Sequence, residues 1–126
     1  MTRSRFCTDL LAATALAAAT LTAMTGCHSY HVDTVIENRS GEVVKLLEVD
    51  YPNASFGADA IAAGADFHYR FQVQGNGPIK VQYTRASGDT AQATGPILED
   101  HEEGRMEITL LPGAKVEFHP QLRPKS

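Results

Sequence analysis

The residues best suited to chemistry are the histidines, of which the chain has five, and the acidic stretch around one of them. "EDHEE", Glu99 to Glu103, places four carboxylates around His101. Carboxylate oxygens at that density suit calcium or another hard cation, which takes six to eight oxygen ligands. The spacing is not that of an EF-hand loop, however, and a run of like charge is more often a solvated face. His68 and His119 fall on the outward positions of two separate alternating segments. If those segments are neighbours, the two imidazoles approach each other, with Glu117 or Asp66 as oxygen ligands; otherwise they are solvated surface. His28 and His31 sit in a polar spacer with no further fixed ligand close in sequence. Solvated surface is therefore the main reading, and a metal or small-ligand site built from His101, Glu99, Asp100, His68 and His119 is the alternative.

Covalent and cofactor chemistry find less support. Ser40, Ser55 and Ser87 stand in turn-like contexts, where serine bonds to the backbone. The sequence contains no G-x-S-x-G elbow, P-loop, dinucleotide fingerprint or H-E-x-x-H motif. Met106 is the only methionine beyond the N-terminal region and reads as core, so the clustered soft ligands of a copper carrier are missing. The expectation is a protein that is not an enzyme and needs no cofactor.

The first 26 residues differ in kind from the rest. Arg3 and Arg5 form a basic start, Leu10 to Met24 form an apolar run rich in Ala, Leu and Thr, and "MTGC" follows. Basic, then apolar, then small is the layout of a secretory signal peptide. The run is also shorter than the ~20 apolar residues of a spanning helix. Met24 to Cys27 resembles the lipobox of bacterial lipoproteins, in which a small residue precedes a cysteine at the end of the apolar run. The resemblance implies a diacylglyceryl group on the Cys27 thiol, cleavage of the Gly26 to Cys27 bond, and often acylation of the freed amine. It covers residues 1 to 27 and says nothing of the remainder. The alternative is cleavage by the general signal peptidase, which would leave Cys27 as a free thiol. Cysteine arithmetic favours the lipid: Cys7 departs with the leader, so Cys27 has no intramolecular partner in an exported chain.

Loss of Arg3, Arg5 and Asp9 reduces the 11 basic and 15 acidic residues to 9 and 14. A net acidic domain gains no electrostatic help at an anionic membrane and is a poor match for nucleic acid. Anchoring then falls to the acyl chains, at ~0.8 kcal/mol per buried methylene. His28, in place of an aspartate after Cys27, resembles the pattern that permits transfer to the outer membrane where a cell has one.

The elements that must position any site are strands. "DFHYRFQVQ" alternates, with Phe67, Tyr69, Phe71 and Val73 on one side and His68, Arg70, Gln72 and Gln74 on the other; "PIKVQYT" repeats the pattern with Ile79, Val81 and Tyr83. "GNGP" between them predicts a hairpin. "RMEITLL" and "AKVEF", joined through "LPGA", predict a second one. "HVDTVIEN" and "EVVKLLEVDY" flank the turn-rich "NRSGE", and "TAQATG" offers a short seventh strand. "PNASFGADAIAAGA" reads as irregular, with a helical turn at Asp59 to Ala63. "GPILEDHEEG" reads as an acidic loop that tucks Ile97 and Leu98 into the core.

The sequence thus predicts an all-β protein: a small antiparallel β-sandwich of about six or seven strands, immunoglobulin-like, preceded by a signal-peptide helix. Residues 1–26 form the leader, 27–31 a lipidated tether, 32–120 the sandwich and 121–126 a flexible tail. The functional expectation is a membrane-anchored domain of the bacterial cell envelope that acts by binding or structural association with an envelope protein. His68, Arg70, Gln72, Lys80 and Gln82 are expected together on the exposed side of a sheet.

Overall fold

Period two decides which side chains face inward, and the whole architecture follows from packing those faces together. The computed structural model describes residues 30–124; the leader, Gly26 and Cys27 lie outside the described residues. Eight strands are present: β1 (Val32–Asn38), β2 (Val44–Tyr51), β3 (Ala54–Ile61), β4 (Asp66–Phe71), β5 (Gly77–Thr84), β6 (Thr90–Leu98), β7 (Glu103–Leu111) and β8 (Lys115–Arg123). They form two four-stranded sheets, of order β4-β1-β7-β8 and β3-β2-β5-β6. Val32, Ile36, Met106, Ile108 and Leu110 from the first sheet meet Val49, Ile79, Val81 and Tyr83 from the second in one continuous core. A sandwich of this kind buries its apolar residues without any disulfide.

Every neighbouring pair is antiparallel except β1 and β7, which run parallel. The strand order also differs from the ABED and CFG sheets of constant-type immunoglobulin domains. The predicted hairpin at "LPGA" is present as β7–β8, with Gly113 and Ala114 at positive φ in its turn. The predicted hairpin at "GNGP" is not: β4 pairs with β1, β5 pairs with β2 and β6, and the connection crosses between sheets. Alternation continues into that crossover, where Val73 is buried and its carbonyl accepts the His101 N–H at 3.0 Å. As a result His68 and Arg70 lie on one sheet, and Lys80 and Gln82 on the other.

Three further expectations are corrected by pairing. Asp59 to Ala63 holds no helical turn; Ala54–Ile61 is a strand registered along β2, with Phe56 and Ile61 in the core. Ile97 is 70% exposed, not buried, because the β5–β6 register shifts between Pro78 and Lys80. A bulge of this kind reverses which residues face inward, so Leu98 is buried as expected while Ile97 turns outward. The tail at 121–126 begins in a strand, since Gln121, Leu122 and Arg123 pair with Arg105, Gly104 and Glu103. Pro120 is compatible with this because β8 is an edge strand.

The two open sides of the sandwich close differently. Between β3 and β4, Phe56 stacks on Tyr69 with ring centroids 4.2 Å apart, and beside them Tyr51, at the end of β2, stacks on Phe71 at 4.1 Å. Between β6 and β8, the Phe118 ring occupies the space above Gly95, where a Cβ would come within 2.7 Å of ring carbons and 2.8 Å of Ile79. A glycine is required there by close approach, not by turn geometry.

Asn38, at the end of β1, fastens the sheets together. Its buried Nδ2 donates to the carbonyls of Glu42 at 2.8 Å, Ile61 at 2.9 Å and Ala62 at 3.2 Å. Its Oδ1 accepts from the Ser40 hydroxyl at 2.6 Å and the Ser40 N–H at 3.2 Å. Its main chain bonds Ala65 and Gly64 across the β3–β4 connection. Truncating a fully satisfied buried amide strands every partner at once. Asn38→Ala should therefore cost about 3 kcal/mol of unfolding free energy in urea with an unchanged slope. A loss below about 1 kcal/mol would contradict the clasp.

Tyr83 presents the opposite case. Its side chain is buried and its hydroxyl has no hydrogen-bond partner. Burial is the main force pushing that hydroxyl above its usual pKa of 10.0, with Glu42 adding and Arg85 opposing. The folded state therefore holds the proton more tightly than the unfolded chain. The associated stability is complete below the ordinary tyrosine value and is lost as pH climbs through the folded one. Tyr83→Phe should leave stability at neutral pH unchanged or raised by up to about 1 kcal/mol. It should also flatten the loss seen in alkaline thermal melts; a destabilised variant would refute the reading.

Candidate functional site

The outer face of the first sheet is a charged grid fixed by strand register. Arg70, Asp33, Arg105 and Gln121 lie in one row across β4, β1, β7 and β8. His68, Val35, Glu107 and His119 form the next row, and Asp66, Glu37, Thr109 and Glu117 the third. Val35 points outward yet is 5% exposed, because longer neighbours lay their stems over it. A hollow of about 320 Å³ opens above this strand, lined by Asp33, Thr34, Val35, His68, Arg70 and Arg105.

Asp33 is the centre of the hollow. Arg70 Nε donates to its Oδ1 at 2.7 Å. That hydrogen bond is the main force holding the Asp33 carboxyl below its ordinary range; burial opposes it, and the charges of Arg70, His31 and Arg105 add smaller lowering contributions. The same contact raises the Arg70 guanidinium further. Arg105 bonds Glu107 at 3.4 Å. The hollow thus presents two guanidinium groups around one carboxylate on a chain of net charge -4. Fixed charges of both signs over a small apolar floor suit polar recognition of a charged surface or ligand.

The sequence-predicted ligands are not gathered by the fold. His68 and His119 share a row, but β1 and β7 stand between them, so three strand spacings of ~4.8 Å separate them by about 14 Å. Their separation is far beyond what a single ion bridges. His119 Nε2 instead lies 3.3 Å from Glu117. His101 Nδ1 lies 3.0 Å from Asp100 Oδ2, and the other Asp100 oxygen accepts the Gly75 N–H at 2.8 Å. Glu102 accepts the Glu99 N–H, so its carboxylate also closes the loop on itself. Among the described residues, no group of three His, Cys, Asp or Glu is placed to hold a metal ion.

Asp33 and Arg105 were not singled out by sequence, because they meet Arg70 only through nonlocal pairing. A second pair was also missed. Glu48 and Asp50 sit two apart on the outer face of β2, and the Asp50 carboxylate raises the Glu48 pKa, first by favouring a hydrogen bond from the protonated form and then by repelling the charged one. The i, i+2 acidic spacing in "EVDY" was the available signal.

No protein-family model and no curated protein matches the chain. A solved structure, an NMR structure of a protein from Eubacterium rectale, is similar over 78% of this chain and 93% of its own, at 15% identity and a TM-score of 0.51. At that identity the likeness concerns the fold.

Arg70→Ala should raise the Asp33 pKa toward 3.8, the ordinary value, in an NMR titration. The stability linked to Asp33 is present above that ordinary value and lost as pH falls through the depressed one. Because both side chains are largely exposed, the unfolding midpoint at neutral pH should scarcely move. An unmoved Asp33 titration would show that Arg70 does not hold this carboxylate in solution.

Proposed function

We propose that the protein is a membrane-anchored bacterial lipoprotein whose β-sandwich serves as a binding domain at the cell envelope. The lipobox-like "MTGC" supports the anchor. The observation that carries the binding role is the row Arg70, Asp33 and Arg105, a preset arrangement of charges at the hollow of the first sheet's outer face. Tethering raises the effective concentration of that face for other envelope proteins, so a weak polar contact suffices. The immunoglobulin-like character enters this proposal in its architectural sense: packed sheets that present faces, edges and end loops. His28 after Cys27 favours the outer membrane in a cell that has two.

A second reading, metal binding, draws on the 3.0 Å approach of His101 to Asp100. Against it, the Asp100 and Glu102 carboxylates are already engaged by backbone N–H groups. Calorimetry of the mature protein with zinc, copper and calcium should give no stoichiometric binding, and binding abolished by His101→Ala would favour this second reading.

The anchor is tested by fractionation. Full-length protein made in a bacterial host should sediment with membranes and resist extraction by high salt, while Cys27→Ser should not. Equal sedimentation of the two, or release of the parent protein by salt, would refute lipid anchoring.

A further inference from the structure

The anchor, if it is Cys27, leaves the sandwich little freedom to choose which end meets the membrane. Tyr30 and His31 are already tied to the body of the domain. The Tyr30 ring lies 5.7 Å from that of His101, and the His31 carbonyl accepts the Gly104 N–H at 3.1 Å. Three residue steps separate Cys27 from Tyr30, and a chain reaches at most ~3.6 Å per residue, so the docked residue stays within about 11 Å of the lipidated one.

The same end of the sandwich gathers three connections. Val73 and Gly75 in the β4–β5 crossover bond His101 and Asp100 in the β6–β7 loop. Asn76 Oδ1 accepts the Asp100 N–H at 2.8 Å, and Pro52 of the β2–β3 turn packs within 3.9 Å of where a Gly75 Cβ would lie. The opposite end holds the Arg39–Val43, Ala62–Ala65 and Arg85–Asp89 connections. The strands of eight residues separate the two ends by about 27 Å, more than twice the reach of the tether.

Resting on the lipoprotein reading above, we propose that the end built from the β2–β3, β4–β5 and β6–β7 connections is a membrane-facing surface that contacts zwitterionic lipid headgroups. The sandwich then stands with its strands leading away from the bilayer. Both outer faces, with the Arg70–Asp33–Arg105 row among them, open sideways toward neighbouring envelope proteins. Polar side chains of this end, Gln72, Gln74 and Asn76, suit a hydrated headgroup layer. Glu99, Asp100 and Glu102 disfavour an anionic one.

Lipidated protein reconstituted in phosphatidylcholine vesicles tests this directly. The Cys27 thiol is consumed by the lipid, so a new cysteine is the sole site for a thiol-reactive fluorophore. Gln74→Cys and Gln72→Cys label the proposed membrane end, and Ala86→Cys labels the far turn. Lipids brominated near the headgroup should quench both proximal labels several-fold more strongly than the distal one. Replacing part of the vesicle with phosphatidylglycerol should weaken the proximal quenching at low salt. Equal quenching at both ends on vesicle-bound protein would overturn the orientation while leaving the anchor intact. Protein that fails to float with the vesicles would overturn the anchor and the orientation together.

Discussion

Burying Asn38 is the constraint on which the rest of the structure turns. An apolar core holds two sheets at a suitable distance but does little to choose their relative placement. The Asn38 amide adds direction: it belongs to β1 in one sheet and donates to Ile61 at the end of β3 in the other. It also closes the Ser40 turn and grips the residues leading into β4. Polar networks of this kind help to specify one arrangement because each alternative leaves a buried group without a partner. An apolar residue of similar size would fill the volume and lose the instruction.

From that clasp, β1 acquires its central role. It is flanked by β4 and by β7, the latter in parallel, so its outward residues sit between two other strands. Asp33 thereby lies between two arginines, which no local turn could have achieved. The position also protects the ion pair from slippage, since a register shift of one residue would turn Asp33 inward and Thr34 outward. Packing on the inner face and charge on the outer face are thus two consequences of one pairing.

Much of this was legible in the sequence wherever the signal was local. Alternation marked the inward residues of β5 and β7, and Pro112 with Gly113 marked the β7–β8 turn. Pairing was harder to read. "GNGP" has the chemistry of a hairpin, but the same residues serve a crossover between sheets. Periodicity assigns a face and leaves the neighbour open. The small residues of β3 conceal a strand because pairing with β2, not intrinsic preference, extends them. His68 and Arg70 were legible as outward-facing. Their company was not, because Asp33 and Arg105 lie far away in sequence, and the bulge that exposes Ile97 depends on the partner strand.

The proposed anchor rests on the lipobox-like Met24 to Cys27, and the sandwich begins to pack at Tyr30, three residues later. Attachment at Cys27 is what links the two. The most direct measurement is the intact mass of the mature protein purified from a bacterial host. Lipidation requires an N-terminus at Cys27 with an added mass fitting a diacylglyceryl group, with or without one further acyl chain. An unmodified chain, or one cut at another residue, would contradict it.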